Sequence, residues 1–230
     1  MSDVVDQTER MRFRNRTEAG RALARVLSRY AGRDDVVVLA LPRGGVPVAY
    51  EVAKELGAPL DVFLVRKLGV PGHEELAMGA IASGGVLVLD DGVVRWLGIS
   101  EDQIQKTLAR ELDELRRREA AYREGRPLPD LKGKTVILVD DGLATGASMQ
   151  AAARAVRRHD PARIVVAVPV ASRATCDQFR EEVDEVVCAV TPAPFYAVGN
   201  WYEDFSQTSD EEVRELLELA AEQRRERDSD

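Results

Sequence analysis

The segment Thr135-Val-Ile-Leu-Val-Asp-Asp-Gly-Leu-Ala-Thr-Gly-Ala-Ser148 is the part of the sequence that indicates the fold class most directly. Its first five residues are mostly branched and apolar, which is typical of a strand buried on both faces of a parallel sheet. Two adjacent carboxylates, Asp140 and Asp141, follow, and a loop of small residues leads into a helix that we expect to begin near Ser148. Open α/β sheets bind ligands at this carboxyl edge of their strands.

The loop after the acidic pair has the composition of an anion site. Thr145, Gly146, Ala147 and Ser148 offer backbone N–H groups and two hydroxyls, and the helix N-terminus adds partial positive charge. We expect a Cβ at Gly146 to hold an anion off the backbone, and we expect Gly142 to let the chain turn after the acidic pair. The pattern predicts a phosphate site.

The two carboxylates cannot bind the same phosphate, so they must face hydroxyl groups or a hydrated cation beside it. Asp140 and Asp141 next to a phosphate loop therefore favour a polyol phosphate as ligand. The alternative is an ordinary strand-to-helix turn in which both aspartates are caps.

Further apolar runs alternate with segments of helical period, which predicts an α/β fold with a parallel twisted sheet flanked by helices. The other predicted strands are Val36–Leu41, Leu60–Val65, Ile164–Val170 and Val186–Val190. The predicted helices are Thr17–Tyr30, Val46–Leu56, Ser148–His159 and Ala174–Val183.

Two stretches break the alternation. Residues 69–131 form an insert in which we expect a mobile loop, a glycine-rich hairpin over Ala80–Val94 and a charged helix over Ser100–Arg123 whose charges are its solvated face. In the tail, Ser209 and Glu212 form a capping box ahead of a last helix. We therefore predict one domain over residues 1–200 with this insert, and an aromatic segment and helix over 201–230 that pack on it.

Composition limits the class of protein. The chain has 230 residues, of which 45% are hydrophobic and 31% charged, and its net charge of −8 opposes non-specific nucleic-acid binding. No apolar run approaches the roughly 20 residues of a membrane span, and the first residues lack a secretory signal, so we expect a cytoplasmic protein. We expect Cys176 and Cys188 to be separate buried thiols.

The stretch VILVDDGLATGAS resembles the phosphoribosyl-pyrophosphate motif of the type I phosphoribosyltransferases. The resemblance implies that Asp140 and Asp141 bind the ribose 2′ and 3′ hydroxyls and that Ala144 to Ser148 wrap the 5-phosphate. It also implies a Mg²⁺ ion that is bound with the substrate and bridges pyrophosphate and ribose oxygens near the acidic pair. It covers about Arg12 to Val190.

Two other stretches agree with this resemblance. Leu41-Pro-Arg-Gly-Gly-Val-Pro47 resembles the family's pyrophosphate loop, which often carries a non-proline cis peptide, and Arg43 with the Gly44 and Gly45 amides is suited to a diphosphate. The pair Arg66-Lys67 ends the second predicted strand, as an Arg-Lys pair does before a mobile loop in adenine-type members. Without the resemblance, these stretches would be a plain turn and two surface cations.

One position departs from a subgroup of the family. Members that act on 6-oxopurines carry a third carboxylate just before the Thr-Gly pair, where this chain has Ala144. Hypoxanthine and guanine are therefore disfavoured as acceptors, although Glu74 or Glu75 in the insert is a candidate base.

The stretch Phe195-Tyr-Ala-Val-Gly-Asn-Trp-Tyr-Glu-Asp-Phe205 resembles the closing segment of a group of bacterial predicted phosphoribosyltransferases of unknown acceptor. It is suited either to a hood that stacks on a heterocycle or to a small core under the last helix. We favour the hood, with Trp201 over the acceptor.

The resemblance implies transfer of a phosphoribosyl group from phosphoribosyl pyrophosphate to a nitrogenous acceptor, with pyrophosphate released. Arg43, Lys67, Asp140 and Asp141 are the candidate catalytic residues, and the two aspartates are also the candidate metal ligands. The alternative is a catalytically weak, ligand-binding regulator of the same fold. Members commonly pair, which favours a homodimer.

Overall fold

The computed structural model describes residues 12–227. Within this range the strands are β1 (Val36–Ala40), β2 (Leu60–Val62), β3 (Val65–Val70), β4 (His73–Ala82), β5 (Val86–Leu89), β6 (Thr135–Val139), β7 (Arg163–Val170) and β8 (Glu185–Val190). The α-helices are α1 (Arg16–Val26), α2 (Gly45–Leu56), α3 (Asp91–Leu97), α4 (Glu101–Arg123), α5 (Ala147–Arg157), α6 (Arg173–Phe179) and α7 (Asp210–Arg227). Residues 1–11 of the predicted domain 1–200 and residues 228–230 of the predicted unit 201–230 lie outside the described residues.

The main sheet is parallel and has the order β2-β1-β6-β7-β8. Its central strand, β6, is buried on both faces, and its last residue, Val139, pairs with Ala40 on one side and Ala167 on the other. Alternate side chains of these strands enter two apolar layers, one on each face of the sheet. The predicted α/β class with a parallel sheet flanked by helices is confirmed.

The prediction of a single strand over Leu60–Val65 was wrong, because the structure divides these residues between two strands. The main sheet keeps only β2, and after buried Phe63 and Leu64 the chain enters an antiparallel sheet of order β3-β4-β5. A continuous apolar run gave no sign of this change of sheet, because both ends of it are buried. Arg66 and Lys67 therefore lie within β3 of this second sheet, and not at the end of the predicted second strand.

The insert also differs from its predicted details. The glycine-rich hairpin is formed by β4 and β5 and ends at Leu89, whereas the rest of the predicted hairpin forms α3, capped by Asp90. Helix α4 begins with a complete capping box of Ser100 and Gln103. The expectation that the charges of this helix are all solvated was wrong, since Glu111 is 8% exposed and accepts two hydrogen bonds from Arg66.

The last helix is fixed at its start and along one face. The backbone N–H of Glu212 donates to the Ser209 hydroxyl over 3.1 Å, which is the expected cap. Val213 and Leu217 are buried in the same apolar layer as α2, and the Gln223 side chain donates to the Tyr50 hydroxyl over 2.7 Å. Helix α7 thus covers α2, whose first residues belong to the glycine-rich loop.

The expectation of two separate thiols was wrong, because Cys176 and Cys188 form a disulfide. Cys176 lies on α6 and Cys188 on β8, and packing of this helix against this strand brings the two side chains together. Their separation of 12 residues in sequence gave no such indication.

Among the described residues, no helix combines the length and the apolar character that a membrane crossing requires.

Candidate functional site

The acidic pair lies at the carboxyl end of β6, in the middle of the sheet. Asp140 folds back so that its Oδ1 accepts the backbone N–H of Asp141 over 2.8 Å. The Asp141 carboxylate points instead to Arg16, whose Nε and Nη2 both lie 2.9 Å from Oδ2. The side chains of this ion pair are only 12% and 15% exposed. Among the described residues, Asp141 therefore has an arginine as ion-pair partner, whereas Asp140 has no such partner.

The different surroundings affect the ionisation of the pair. Burial, and then the Asp141 charge, raise the pKa of Asp140 well above its usual range. Burial also raises the pKa of Asp141, but the Arg16 guanidinium beside it opposes that rise. Two carboxylates held next to each other in this way are stabilised by a cation or by hydroxyl groups that donate hydrogen bonds to them.

Residues 202–206, which follow the predicted domain 1–200, contact Asp141 and its partner Arg16. The Tyr202 hydroxyl donates to the Asp141 backbone carbonyl over 2.6 Å. Arg16 also donates to the Ser206 carbonyl over 2.6 Å, and its guanidinium lies 4.1 Å from the centre of the Phe205 ring. The segment 202–206 therefore holds Arg16 and Asp141 in one arrangement.

The glycine-rich loop between β1 and α2 packs directly on the acidic pair. A Cβ added at Gly44 would lie 2.1 Å from Asp141 Oδ2, and one at Gly45 would lie 3.0 Å from the Asp140 Cα. Only glycine permits this approach. The peptide between Pro42 and Arg43 is cis, as the family's loop led us to expect.

The loop's donors differ from the sequence prediction in one respect. The Gly45 N–H donates to the Leu41 carbonyl over 3.1 Å, so it is already used within the turn. The Arg43 side chain leaves the loop toward the start of α7, where its Nη1 lies 3.9 Å from Asp210 Oδ1. Arg43 thus stands at the edge of the site with a weakly held, partly exposed guanidinium.

The loop from Ala144 to Ser148 ends at the start of α5, where Gly146 is the N-cap residue. No side chain in the described chain caps this helix end, and Thr145, Ala147 and Ser148 are exposed. The Thr175 hydroxyl fixes the loop by donating to the Ala144 carbonyl over 2.9 Å. The free helix N-terminus suits an anion.

The two loop glycines are required for reasons that we did not predict. Gly146 has a φ of +72°, and a Cβ there would lie 2.4 Å from the Phe179 ring, on the protein side. A Cβ on Gly142 would lie 2.5 Å from the Val198 side chain. Close packing beneath the loop therefore selects glycine at both positions, and the left-handed φ of Gly146 adds a second reason there. The predicted clearance for a ligand at Gly146 stays a prediction.

A cleft of about 480 Å³ opens beside the acidic pair. We call it the arginine cleft, and its polar walls are Arg66, Arg118, Asp140 and Ser148, with Pro42 at one side. Buried Glu111 holds Arg66 through Oε2, with Nη2 at 2.7 Å. The cleft thus joins the glycine-rich loop, the acidic pair and the phosphate loop.

Lys67 lies apart from this cleft. Successive residues of a strand point to opposite faces, so β3 directs Arg66 into the arginine cleft and Lys67 away from it. Lys67 is exposed and lines a second cleft with Ala147, Gln150 and Arg154. The two clefts meet at the N-terminus of α5, and the role of Lys67 at the leaving group stays a prediction.

The structure assigns Trp201 to a core rather than to a hood. Trp201 is 5% exposed and belongs to a small apolar cluster with Ala19, Val170 and Tyr202. The expectation that it stacks on an acceptor was therefore wrong, because the short helical turn that ends at Trp201 directs the ring inward. Tyr196, at 80% exposed, is the ring of this segment that solvent reaches most freely.

Sequence reasoning missed Arg16, Glu111, Arg118 and Tyr202. Arg16 lies 125 residues from Asp141 in sequence, and an arginine in the first turn of a helix is an ordinary local feature. Glu111 and Arg118 occur in a charged helix whose pattern favours solvation. Tyr202 alone had a signal, as a member of the aromatic segment.

The acidic pair has the chemistry of a Mg²⁺ site. Asp140 and Asp141 supply hard oxygen ligands, which Mg²⁺ prefers. Within residues 12–227 there is no group of three or more acidic, histidine or cysteine side chains able to hold a metal. The donor set therefore fits an ion that takes most of its ligands from substrate and water.

Comparison with known proteins identifies the family that the chain resembles. Residues 12–198 match the family described as "Phosphoribosyl transferase domain". Proteins named "Putative phosphoribosyl transferase" in two strains of Mycobacterium tuberculosis are 49% identical over 208 residues, which is 90% of this chain and 47% of theirs. The chain thus spans about half the length of these curated relatives.

A solved structure has the same fold over nearly its whole length. The crystal structure of TT1426 from Thermus thermophilus is 48% identical, with a TM-score of 0.80, and the match covers 90% of this chain and 98% of that one. The extent of the family match and the identity to these relatives lead to one conclusion. The chain belongs to the family of phosphoribosyl transferase domains.

Proposed function

We propose that the protein transfers a phosphoribosyl group from phosphoribosyl pyrophosphate to a nitrogenous acceptor and releases pyrophosphate. One observation carries the proposal. At one edge of the sheet, an acidic pair lies between an uncapped helix N-terminus and a glycine-rich loop that contacts both carboxylates. A sugar whose two ends carry a phosphate and a diphosphate matches this order of groups.

Each part of the site has a role in this reaction. The loop of Ala144 to Ser148 and the N-terminus of α5 hold the 5-phosphate, and Asp140 and Asp141 accept hydrogen bonds from the ribose hydroxyls. Arg43 and the glycine-rich loop at Gly44 face the diphosphate, whereas the Gly45 N–H is used within the turn. As the C1–N bond to the acceptor forms and the C1–O bond to pyrophosphate breaks, positive groups here stabilise the charge that grows on the leaving group.

Mg²⁺ bound with the substrate would add positive charge at the pyrophosphate oxygens. Asp140 is the carboxylate best placed to face such an ion, because Arg16 already holds Asp141. The protein's own part is to keep the sugar fixed between the phosphate loop and the acidic pair, so that the acceptor meets C1 in one orientation.

The experiment is pyrophosphate release from phosphoribosyl pyrophosphate with Mg²⁺, measured across purines, pyrimidines and other nitrogen heterocycles. Asp141→Asn serves as the inactive variant. Asp113→Asn is its matched control, because it makes the same substitution on the exposed face of α4. We expect release with at least one acceptor in the wild type and in the control, and a loss of at least about tenfold in Asp141→Asn.

Binding measurements keep the proposal testable without an acceptor. Calorimetry should detect phosphoribosyl pyrophosphate and, more weakly, ribose 5-phosphate, in the presence of Mg²⁺. A properly folded wild type that shows no heat and no thermal shift at millimolar ligand would overturn the proposed function.

A further inference from the structure

Helix α4 of the insert directs one arginine into the site. Arg118 lines the arginine cleft, opposite Pro42 of the glycine-rich loop and together with Asp140. Its side chain is 46% exposed, so a ligand in the cleft has access to the guanidinium. The neighbouring Arg117 is 72% exposed and is not part of the cleft wall.

Arg118 shares its carboxylate partner with a second arginine. Glu114 pairs with Arg117 and with Arg118, with nitrogen–oxygen distances of 2.8 Å in both cases. Hydrogen bonds from Arg117 and then Arg118 lower the pKa of Glu114 to about 2, so it is ionised at neutral pH. Two guanidinium groups thus share the Glu114 carboxylate, so Arg118 has no described carboxylate partner of its own.

Arg118 lies on α4 and Arg43 lies on the glycine-rich loop, and contacts of Tyr122 and Asp210 connect these two elements. The Tyr122 hydroxyl donates to Asp210 Oδ1, the same oxygen that lies 3.9 Å from Arg43 Nη1. Burial raises the pKa of Tyr122 to about 12, and the charges of both Arg118 and Arg43 oppose that rise. Arg43 and the Tyr122 hydroxyl thus share Asp210 Oδ1, and Tyr122 follows Arg118 by one helical turn on α4.

We infer that Arg118 binds the diphosphate end of the sugar phosphate, together with Arg43 and the glycine-rich loop. The inference rests on the proposed function and adds a residue to it. A planar guanidinium with several donors matches the oxygens of a diphosphate. The cleft places Arg118 with Pro42 and Asp140, and Ser148 of the phosphate loop also lines it. The test therefore has to separate the two ends of the sugar phosphate.

The test compares ligands that share one end of the molecule. Calorimetry in Mg²⁺ measures phosphoribosyl pyrophosphate, pyrophosphate and ribose 5-phosphate on the wild type, Arg118→Gln and Arg117→Gln. Arg117→Gln is the matched control, because it removes an adjacent arginine that shares Glu114. Circular dichroism and thermal melting establish that each variant is folded.

We expect Arg118→Gln to weaken binding of phosphoribosyl pyrophosphate and pyrophosphate by about tenfold or more, the usual effect of losing a hydrogen bond between charged groups. Ribose 5-phosphate should change by less than about threefold, and Arg117→Gln should bind all three nearly as the wild type does. Arg118→Lys should recover part of the loss, because it keeps the charge without the planar fork.

Two results overturn the inference and leave the proposed function intact. In one, Arg118→Gln binds phosphoribosyl pyrophosphate as the wild type does. In the other, it loses affinity for ribose 5-phosphate to the same extent as for pyrophosphate. If the folded wild type binds neither phosphoribosyl pyrophosphate nor pyrophosphate, the proposed function fails, and the inference fails with it.

Discussion

Replacing Arg16 by glutamine should destabilise the protein, because it removes the cation from a buried carboxylate. Arg16 gives Asp141 two contacts of 2.9 Å, and the pair is 12% and 15% exposed. Removing one partner of a buried pair costs about 3–5 kcal/mol. Because some solvent reaches this pair, we take the low end, about 3 kcal/mol, which in a chain of this size lowers Tm by about 6–12 °C.

Urea unfolding of a double-mutant cycle measures the effect. Asp141→Asn removes the charge that Arg16→Gln leaves without a partner, so the double variant should recover about 2 kcal/mol of the loss in the single variant. Arg21→Gln is the control on the same helix. It breaks a pair with Glu51 in which the arginine is 60% exposed, and it should cost about 1 kcal/mol or less.

The loss should also depend on pH. Without Arg16, the pKa of Asp141 rises further above its ordinary value, so the folded variant binds a proton that the unfolded chain has released. The stability of the variant then falls as pH rises through that range, relative to the wild type. We expect a larger difference at pH 8 than at pH 5. Additive single-variant losses, or an equal difference at both pH values, would refute this reasoning.

Three further changes test other parts of the site. Asp140→Asn should raise Tm at pH 7.5 by about 2–4 °C relative to the wild type, and this difference in Tm should shrink as pH falls toward 4. The reason is that the raised pKa of Asp140 makes the wild type lose stability as pH rises. Thermal melts at a series of pH values measure the difference. Trp201→Ala should cost about 3–5 kcal/mol in urea unfolding, and a loss below ~1 kcal/mol would contradict its place in a core. Gly44→Ala should weaken phosphoribosyl pyrophosphate binding by about tenfold or more in calorimetry, because its Cβ would lie 2.1 Å from Asp141 Oδ2; unchanged affinity would contradict the close packing of loop on carboxylate.

The sequence was informative where a function depends on consecutive residues. The run from Thr135 to Ser148 combines a buried strand, two carboxylates and a helix start, and all three follow from local rules of periodicity and backbone preference. The same holds for the glycine-rich loop after β1. Parallel strands bring the ends of such segments to one edge, so their proximity could be predicted without coordinates.

The sequence was uninformative where the site depends on side chains from distant segments. Neither Arg16 nor Arg118 stands out locally, because charged residues on helices usually face water. Trp201 was misassigned since glycine and aromatic residues are common both in loops over ligands and in small cores. The split between β2 and β3 was missed because an apolar run carries no mark of the sheet that each half joins.

The contacts of Asp141 also bear on the order in which the protein is made. Tyr202, whose hydroxyl binds the Asp141 carbonyl, follows it by 61 residues. A ribosome that adds about 5–20 residues per second needs ~3–12 s to cover that interval. During this time the nascent chain has both carboxylates and Arg16, but lacks Tyr202, Phe205 and the Ser206 carbonyl that fix them. The arrangement of Arg16 and Asp141 is therefore complete only in chains whose synthesis has passed residue 206.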